Sequence, residues 1–195
     1  MPLGKIETIK KSGKEKFMLN EHELGFDLNA FWGWSSSELL SNTLRGVLAE
    51  YIVSQDIGCI VQVREEWDAY DLLTPEGIKI EIKSSAYLQS WEQKKLSKII
   101  FGIQPTFGWD ASTNAYSSEQ KRQSDVYVFC VFSHKEKTTA NPQNLNQWDF
   151  YVLSTARLNQ VLPNQKTIGL SRLLKLNPTK VSYGKIHQKH FRHPL

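Results

Sequence analysis

Residues 71–84, with the sequence DLLTPEGIKIEIKS, decide the fold. Their central segment, TPEG at residues 74–77, has the chemistry of a tight turn, because proline suits its first corner and glycine a following left-handed position. After the turn, isoleucines alternate strictly with charged residues, so the isoleucines would lie on one face of a strand and the charges on the other. We predict a β-hairpin with a first arm over about residues 67–73 and a second arm over residues 78–84. The alternating charged residues are Lys79, Glu81 and Lys83.

The chain before the hairpin predicts a helix followed by a short strand. Ser35 and Glu38 have the spacing of a capping box, and five apolar residues recur after them at three- and four-residue intervals. We therefore expect a helix from about Ser35 to Gln55, ended by Gly58, and a strand over residues 59–64. The apolar residues of this helix are Leu40, Leu44, Val47, Leu48 and Tyr51.

The chain after the hairpin predicts further strands and a second helix. Residues 126–132 are almost entirely apolar, which indicates a buried strand, and strands are also expected over residues 98–103 and 150–153. A polar loop is expected from Gln104 to Ser124, and a short helix over residues 171–176. This order of elements is typical of an α/β fold with a mixed central sheet flanked by helices.

Composition and length exclude several classes of protein. The 195 residues are 40% hydrophobic and include six Trp, seven Tyr and nine Phe, which is too apolar for a disordered chain and fits one domain over residues 1–195. No apolar run approaches the ~20 residues of a membrane span, and the lysine-rich residues 1–17 lack the apolar core of a secretory signal. Cys59 and Cys130 form neither a disulfide framework nor a metal knuckle, so we expect reduced thiols and a cytoplasmic location.

Charge is distributed unevenly along the chain. Residues 1–149 carry 16 basic and 20 acidic residues, whereas residues 150–195 carry eight basic residues and no acid. This asymmetry predicts a surface for a polyanion next to a site for a cation, with a solvated basic tail as the alternative for the final residues. Arg122 and Asp125, which bracket the start of the strand over 126–132, are expected to form an ion pair. The basic candidates for contacts to a nucleic-acid backbone are Arg157, Lys166, Arg172 and Lys175.

The predicted hairpin brings two carboxylates together. If its arms pair as expected, Asp71 lies nearly opposite Glu81, and Glu81 and Lys83 share one face of the second arm. Two converging carboxylates invite a hard divalent cation such as Mg²⁺, and the carbonyl of Ile82 could supply a further oxygen ligand. A lysine beside such a cation can orient an attacking water and help to deprotonate it. These residue types therefore favour hydrolysis of a phosphodiester.

This arrangement resembles the PD-(D/E)XK nuclease superfamily, which has the restriction-endonuclease-like fold. The resemblance rests on Asp71, nine intervening residues and then Glu81-Ile82-Lys83, and it covers about residues 36–132. It implies an αβββαβ core, an acidic pair that binds Mg²⁺ (with Mn²⁺ as a substitute), and a lysine that serves the nucleophilic water.

Three further positions bear on this resemblance. A glutamate of the preceding helix often joins the metal site in this superfamily, and Glu50 matches that position. Gln104 follows the strand after the motif, where some of these nucleases place a glutamine near the metal or the phosphate; otherwise it is a loop residue. Tyr70 is a departure, because the superfamily loosely keeps a proline there.

The resemblance implies a metal-dependent endonuclease that acts on DNA rather than RNA. Asp71 and Glu81 would hold the metal together with the carbonyl of Ile82. Lys83 would activate the water, and Glu50 would support the metal shell or a second ion. A homodimer would make double-strand cutting easiest, and no membrane association is expected. Two alternatives stay open: a nucleic-acid-binding module of the same fold that no longer cuts, and a protein-interaction domain whose basic face docks an acidic partner.

Overall fold

The computed structural model describes residues 4, 6–59, 63–64, 69–110 and 115–187. The chain divides into two compact units, of which the first comprises Met1–Glu38 with Val61–Glu66 and the second Leu39–Ile60 with Trp67–Leu195. No helix in the described part of the chain is long and apolar enough to cross a membrane. Cys59 and Cys130 are both free thiols, as predicted.

The first unit contains a β-hairpin that leads into a helix. Strands β1 (Lys16–Leu19) and β2 (His22–Asp27) pair antiparallel. Helix α1 (Leu28–Ser36) begins where the Asp27 carboxylate accepts a backbone N–H of its first turn at 3.0 Å. Ser35 therefore lies in the last turn of α1, and the predicted helix start at Ser35 is wrong.

The second unit contains the remaining described elements. Its helices are α2 (Asn42–Ile57), α3 (Thr155–Val161) and α4 (Leu170–Leu174), with 3-10 turns at Lys137–Thr139 and Leu145–Gln147. In chain order its strands are β3 (Leu72–Leu73), β4 (Lys79–Ala86), β5 (Ile100–Gly102), β6 (Thr106–Asp110), β7 (Ala115–Lys121), β8 (Val126–Phe132), β9 (Trp148–Ser154), β10 (Thr167–Gly169) and β11 (Thr179–Val181). The strands predicted over 126–132 and 150–153 and the short helix predicted over 171–176 are confirmed, with small shifts in their bounds.

A five-stranded mixed sheet forms the centre of this unit. The strand order is β11-β9-β8-β4-β3, in which β4 and β8 run parallel and the other neighbours run antiparallel. All seven residues of β8 are buried, because this central strand is covered on both faces. Strand β3 lies at the edge, so the hairpin that decides the fold forms one margin of the sheet.

Two apolar layers cover the two faces of the sheet. On one face, Ala49, Ile52 and Val53 of α2 pack in one cluster with the three isoleucines of residues 78–82. These isoleucines are at most 6% exposed, so the predicted alternation of the second hairpin arm is confirmed. On the other face, residues of β5, β10, α3 and α4 pack around Phe129 of β8. The charged residues of β4 point toward this second face.

Helix α2 buries a face that only partly matches the predicted stripe, of which Leu40 and Leu48 pack against the core. It begins after Ser41, whose hydroxyl caps the first turn, and it ends at Gly58, which has a φ of +74° and confirms the expected end. Tyr51, which was expected in the apolar stripe, is 58% exposed, whereas Ala49 and Ile52 are buried. The small side chain of Ala49 packs in the core, whereas the bulky ring of Tyr51 lies on the exposed side of the helix.

The segment between β4 and β8 departs most from the prediction. The expected polar loop from Gln104 to Ser124 is wrong, because β6 and β7 pair there as a hairpin. Trp109 and Tyr116 pack across this hairpin with 4.8 Å between their ring centroids. No helix lies between β4 and β8 in the described residues, whereas the predicted αβββαβ order has one. The strand predicted over 98–103 is present as β5, but it pairs with β10 outside the central sheet.

Part of the sequence prediction cannot be compared with the structure. Residues 60–62 and 65–68 lie outside the described residues, and they hold half of the strand predicted over 59–64 and the start of the first hairpin arm. Of the described part of that arm, only Leu72–Leu73 is strand.

Candidate active site

A tight turn sets the register of the β3–β4 hairpin. Gly77 has a left-handed φ of +84°, at which a residue with a Cβ atom is strained, and its N–H donates to the carbonyl of Thr74 at 2.9 Å. Leu72 then pairs with Ile80 across the hairpin. The predicted turn is therefore confirmed, and it determines which residue of the first arm lies beside Glu81.

That residue is Asp71, which is bonded to the middle of β4. Its N–H donates to the carbonyl of Ile80 at 3.0 Å, and its Oδ2 accepts the N–H of Ile82 at 2.6 Å. Because the N–H and C=O of one strand residue point to the same side, the carbonyl of Ile82 faces this edge as well. The hairpin thus places one carboxylate and one carbonyl together.

Glu81 and Lys83 share one face of β4, as the alternation predicts. The ammonium of Lys83 contacts the carboxylate of Glu81 directly, and the two side chains are 32% and 18% exposed. Lys79, the other lysine of this face, is exposed and lies over the ring of Tyr70 at 5.3 Å from its centroid. The lysine that pairs with the hairpin acids is therefore Lys83.

Three carboxylates interact electrostatically at this site. Burial, followed by the charge of Glu81, raises the pKa of Asp71 to about 7, and the charge of Glu50 on α2 adds to the rise. The N–H of Ile82 and the ammonium of Lys83 oppose this rise without cancelling it. The fold therefore brings Glu50, which is distant in sequence, within electrostatic reach of the hairpin acids.

The donor set matches the chemistry of Mg²⁺. This ion binds through one or two carboxylates and keeps several waters. Asp71 and the Ile82 carbonyl offer oxygens at one edge of β4, and Glu81 is close enough to raise the pKa of Asp71. A cation there would offset the burial and the charge of Glu81, which together raise the pKa of Asp71. Among the described residues, no three His, Cys, Asp or Glu side chains are grouped so that they could hold a metal ion. Glu81 is instead paired with Lys83, so its carboxylate would have to turn toward a shared cation.

The predicted nucleic-acid contacts form no bonds to the hairpin acids. Gln104 and Lys166 line one open cleft of about 480 Å³. Arg157 lies on α3 and donates to a glutamine of the same helix at 2.8 Å, while Arg172 and Lys175 are exposed on α4 and directly after it. The structure describes all five of these residues, and of them it brings only Gln104 and Lys166 together.

Arg122 has a structural role that its sequence context did not reveal. It is 6% exposed, and its guanidinium donates to the carbonyls of Ile103 at 2.7 Å and Leu162 at 2.8 Å. The predicted ion pair with Asp125 is wrong, because the Asp125 carboxylate accepts the N–H of Lys79 at 2.9 Å instead. The carbonyls that satisfy Arg122 come from separate loops that meet only in the fold, so no local signal identifies them.

A known protein family matches most of the chain. The model of the family described as bacteriophage T4 endonuclease IV matches residues 32–172. The chain belongs to the bacteriophage T4 endonuclease IV family. This endonuclease IV family match includes α2, the β3–β4 hairpin, β8 and β9, and therefore Glu50, Asp71, Glu81 and Lys83. Membership of the family indicates a nuclease. No curated protein matches the chain.

Proposed function

We propose that this endonuclease IV family protein is a Mg²⁺-dependent endonuclease that hydrolyses phosphodiester bonds in DNA. The observation that carries the proposal is the hydrogen bond between the Asp71 carboxylate and the N–H of Ile82. It fixes the first acid beside the strand position that separates Glu81 from Lys83. Two acids and a lysine in this order form a PD-(D/E)XK site, and a mixed sheet with α2 on one face suits the restriction-endonuclease-like core.

The acids and one backbone oxygen would hold the cation. Asp71 and Glu81 would each contribute a carboxylate oxygen, the carbonyl of Ile82 would contribute another, and Glu50 would support the set from α2. When bound, Mg²⁺ or Mn²⁺ would neutralise charge on the scissile phosphate and lower the pKa of the attacking water. The raised pKa of Asp71 supports this assignment, because burial and the charge of Glu81 both disfavour its ionised form when no cation is bound.

Lys83 would position and activate the water. An ammonium has three N–H donors and no acceptor, and the structure pairs that of Lys83 with Glu81. When the Glu81 carboxylate turns toward a cation, these donors become available to a water or to a phosphate oxygen. The positive charge of Lys83 would then stabilise the negative charge that develops on the attacking oxygen.

The distribution of charge supports a nucleic acid as the substrate. Without a cation, the three carboxylates would repel a phosphate backbone, whereas the acid-free chain after Asp149 offers exposed cations such as Arg172 and Lys175. Contacts of this kind weaken as the salt concentration rises. A two-fold homodimer would present two sites to the two strands of a duplex.

The Glu81→Gln variant tests this function. It keeps the shape of the side chain and removes one charge, so we expect loss of cleavage together with DNA binding that is equal or stronger. Cleavage of labelled DNA in Mg²⁺ and binding by fluorescence anisotropy in EDTA measure the two effects, and Glu92→Gln, which removes an exposed glutamate, is the control. Normal cutting by Glu81→Gln would show that the site is misassigned. Salt-sensitive binding with no metal-dependent cutting by the native protein would favour a binding module that no longer cuts.

A further inference from the structure

An open cleft in the second unit is separate from the hairpin acids. It has a volume of about 480 Å³ and lies among the loop after β5, the base of the β6–β7 hairpin and the loop before β10. No acid lines it. The side chains that carry the argument are those of Gln104, Thr106, Phe107, Gln120, Asn164 and Lys166.

This lining has the chemistry of a nucleotide site. The carboxamides of Gln104, Gln120 and Asn164 each combine acceptor and donor groups, which is what the edge of a nucleobase requires. Phe107 is 48% exposed, so its side chain is available for stacking on a base. Lys166 supplies one cation for a phosphate. An acidic protein surface would call for several cations, whereas a single lysine among three amides suits one nucleotide.

Arg122 holds the walls of the cleft in place. Its guanidinium donates to the carbonyls of Ile103, Pro163 and Gln165 at 2.7, 3.4 and 3.3 Å, and each of these residues adjoins a cleft residue in the chain. The N–H of Ile103 also donates to the carbonyl of Lys166 at 2.8 Å. The loop after β5 and the loop before β10 are therefore joined before any ligand arrives, which lowers the cost of ordering a site on loops.

The cleft lies within reach of a DNA strand at the hairpin acids. The N–H of Ile100 donates to the hydroxyl of Ser85, two residues after Lys83 on β4, at 3.3 Å. Gln104 follows Ile100 by four residues, so even a fully extended path from Lys83 to Gln104 spans only about 25 Å. A strand cut at the acids is therefore long enough to reach the cleft within a few nucleotides of the break.

We propose that this cleft binds one nucleotide of the DNA strand, with its base on Phe107 and its edge read by the carboxamides, and thereby gives cleavage a base preference near the break. The link to cleavage rests on the proposed endonuclease function. Binding at the cleft does not, because it needs no metal and the hairpin acids do not line the cleft.

Binding of short oligonucleotides in EDTA tests the cleft without any catalysis. The probes are labelled pentanucleotides of dA, dC, dG and dT, measured by fluorescence anisotropy. We expect the native protein to prefer one of the four, and Phe107→Leu and Gln120→Ala to weaken that binding by about tenfold and to reduce the preference. Tyr183→Leu, which removes an exposed aromatic ring outside the cleft, should change neither. Variants that bind all four probes as the native protein does would overturn the proposal.

Sequencing of the ends produced in Mg²⁺ separates this proposal from the proposed function. A base bias at one position near the break would support both the nuclease and the cleft proposals if Phe107→Leu and Gln120→Ala reduce that bias. Cutting that leaves ends without base bias, or with a bias that these variants do not change, would overturn the cleft proposal and leave the nuclease proposal intact. If the native protein prefers one pentanucleotide but does not cut DNA, the nuclease proposal would be overturned and the cleft proposal would stand. Binding of an oligoglutamate peptide in place of the pentanucleotides would overturn the cleft proposal in favour of an acidic partner.

Discussion

Replacing Asp71 with asparagine should stabilise the metal-free protein at alkaline pH while it abolishes cleavage. Burial and repulsion by Glu81 and Glu50 raise the pKa of Asp71 from 3.8 to about 7. The folded protein therefore holds the Asp71 proton more tightly than the unfolded chain does. The stability that this proton supplies is fully present below the unfolded pKa, and it is lost as the pH rises through the folded pKa. Asparagine is neutral at every pH, and its oxygen can still accept the N–H of Ile82.

The size of the effect follows from the raised pKa. Each pH unit between the unfolded and folded pKa values changes the free energy of unfolding by about 1.4 kcal/mol. Between pH 5 and pH 8, the native protein should therefore lose about 3 kcal/mol that the Asp71→Asn variant keeps. The advantage of the variant should already be about 1.7 kcal/mol at pH 5, should be about 4 kcal/mol at pH 8, and should vanish only below about pH 4.

Urea unfolding in EDTA across this pH range measures the effect. Asp125→Asn is a matched control, since the exposed Asp125 carboxylate also accepts a backbone N–H of β4, and we expect the pH-dependent gain in Asp71→Asn alone. At pH 8, Mg²⁺ at a hundred times its dissociation constant should stabilise the native protein by about 2.7 kcal/mol and the Asp71→Asn variant by much less.

Parallel pH profiles for the native protein and Asp71→Asn would refute the reasoning. They would mean that Asp71 is solvated or already paired in solution, so that its ionisation costs nothing. Equal stabilisation of both proteins by Mg²⁺ would separately exclude Asp71 from the metal site.

Two further predictions concern the framework and the basic segment. Arg122→Met should lower the free energy of unfolding by about 3 kcal/mol, because two short bonds from a buried cation are lost, whereas Arg157→Met should change it by less than about 0.5 kcal/mol; equal losses in urea unfolding would contradict this. Arg172→Gln and Lys175→Gln should each reduce the slope of log affinity for DNA against log salt concentration by about one. Unchanged slopes in anisotropy titrations would show that these residues do not contact phosphate.

The hairpin could be predicted because its signals are local. The turn at residues 74–77 and the alternation after it lie within a dozen residues, and both are present in the structure. Strand β8 could be predicted equally well, since a central strand covered on both faces is apolar at every position. Glu81 and Lys83 share a face for the same local reason, which is the two-residue period of a strand.

Features that depend on distant partners were harder to predict. The buried face of α2 was only partly predicted: Leu48 packs against the core, but the core takes up the small Ala49 and leaves Tyr51 exposed, and periodicity alone favours the larger residue. The β6–β7 hairpin was missed because all seven residues of β7 are exposed, so no buried face produces an alternating pattern. The bonds of Arg122 join loops that meet only after folding.

The candidate site likewise has features that could be predicted from the sequence and features that depend on the fold. Its order along the chain, Asp71 and then Glu81 and Lys83, could be read from the sequence together with a resemblance to known nucleases. The bond from Asp71 to the N–H of Ile82 and the electrostatic effect of Glu50 on Asp71 required the packing of α2 and the hairpin. That Gln104 and Lys166 line the same cleft could be learned only from the fold, because 61 residues separate them in the sequence.

Cleavage of a mixed pool of supercoiled, linear, single-stranded and branched DNA, in Mg²⁺ and in EDTA, tests the central claim most directly. The matched variants are Lys83→Ala and Lys79→Ala, which remove two lysines from the same face of β4. We predict cutting that requires the metal, that falls by at least about 100-fold in Lys83→Ala, and that Lys79→Ala retains. Cutting in EDTA, or equal cutting by the two variants, would contradict the account.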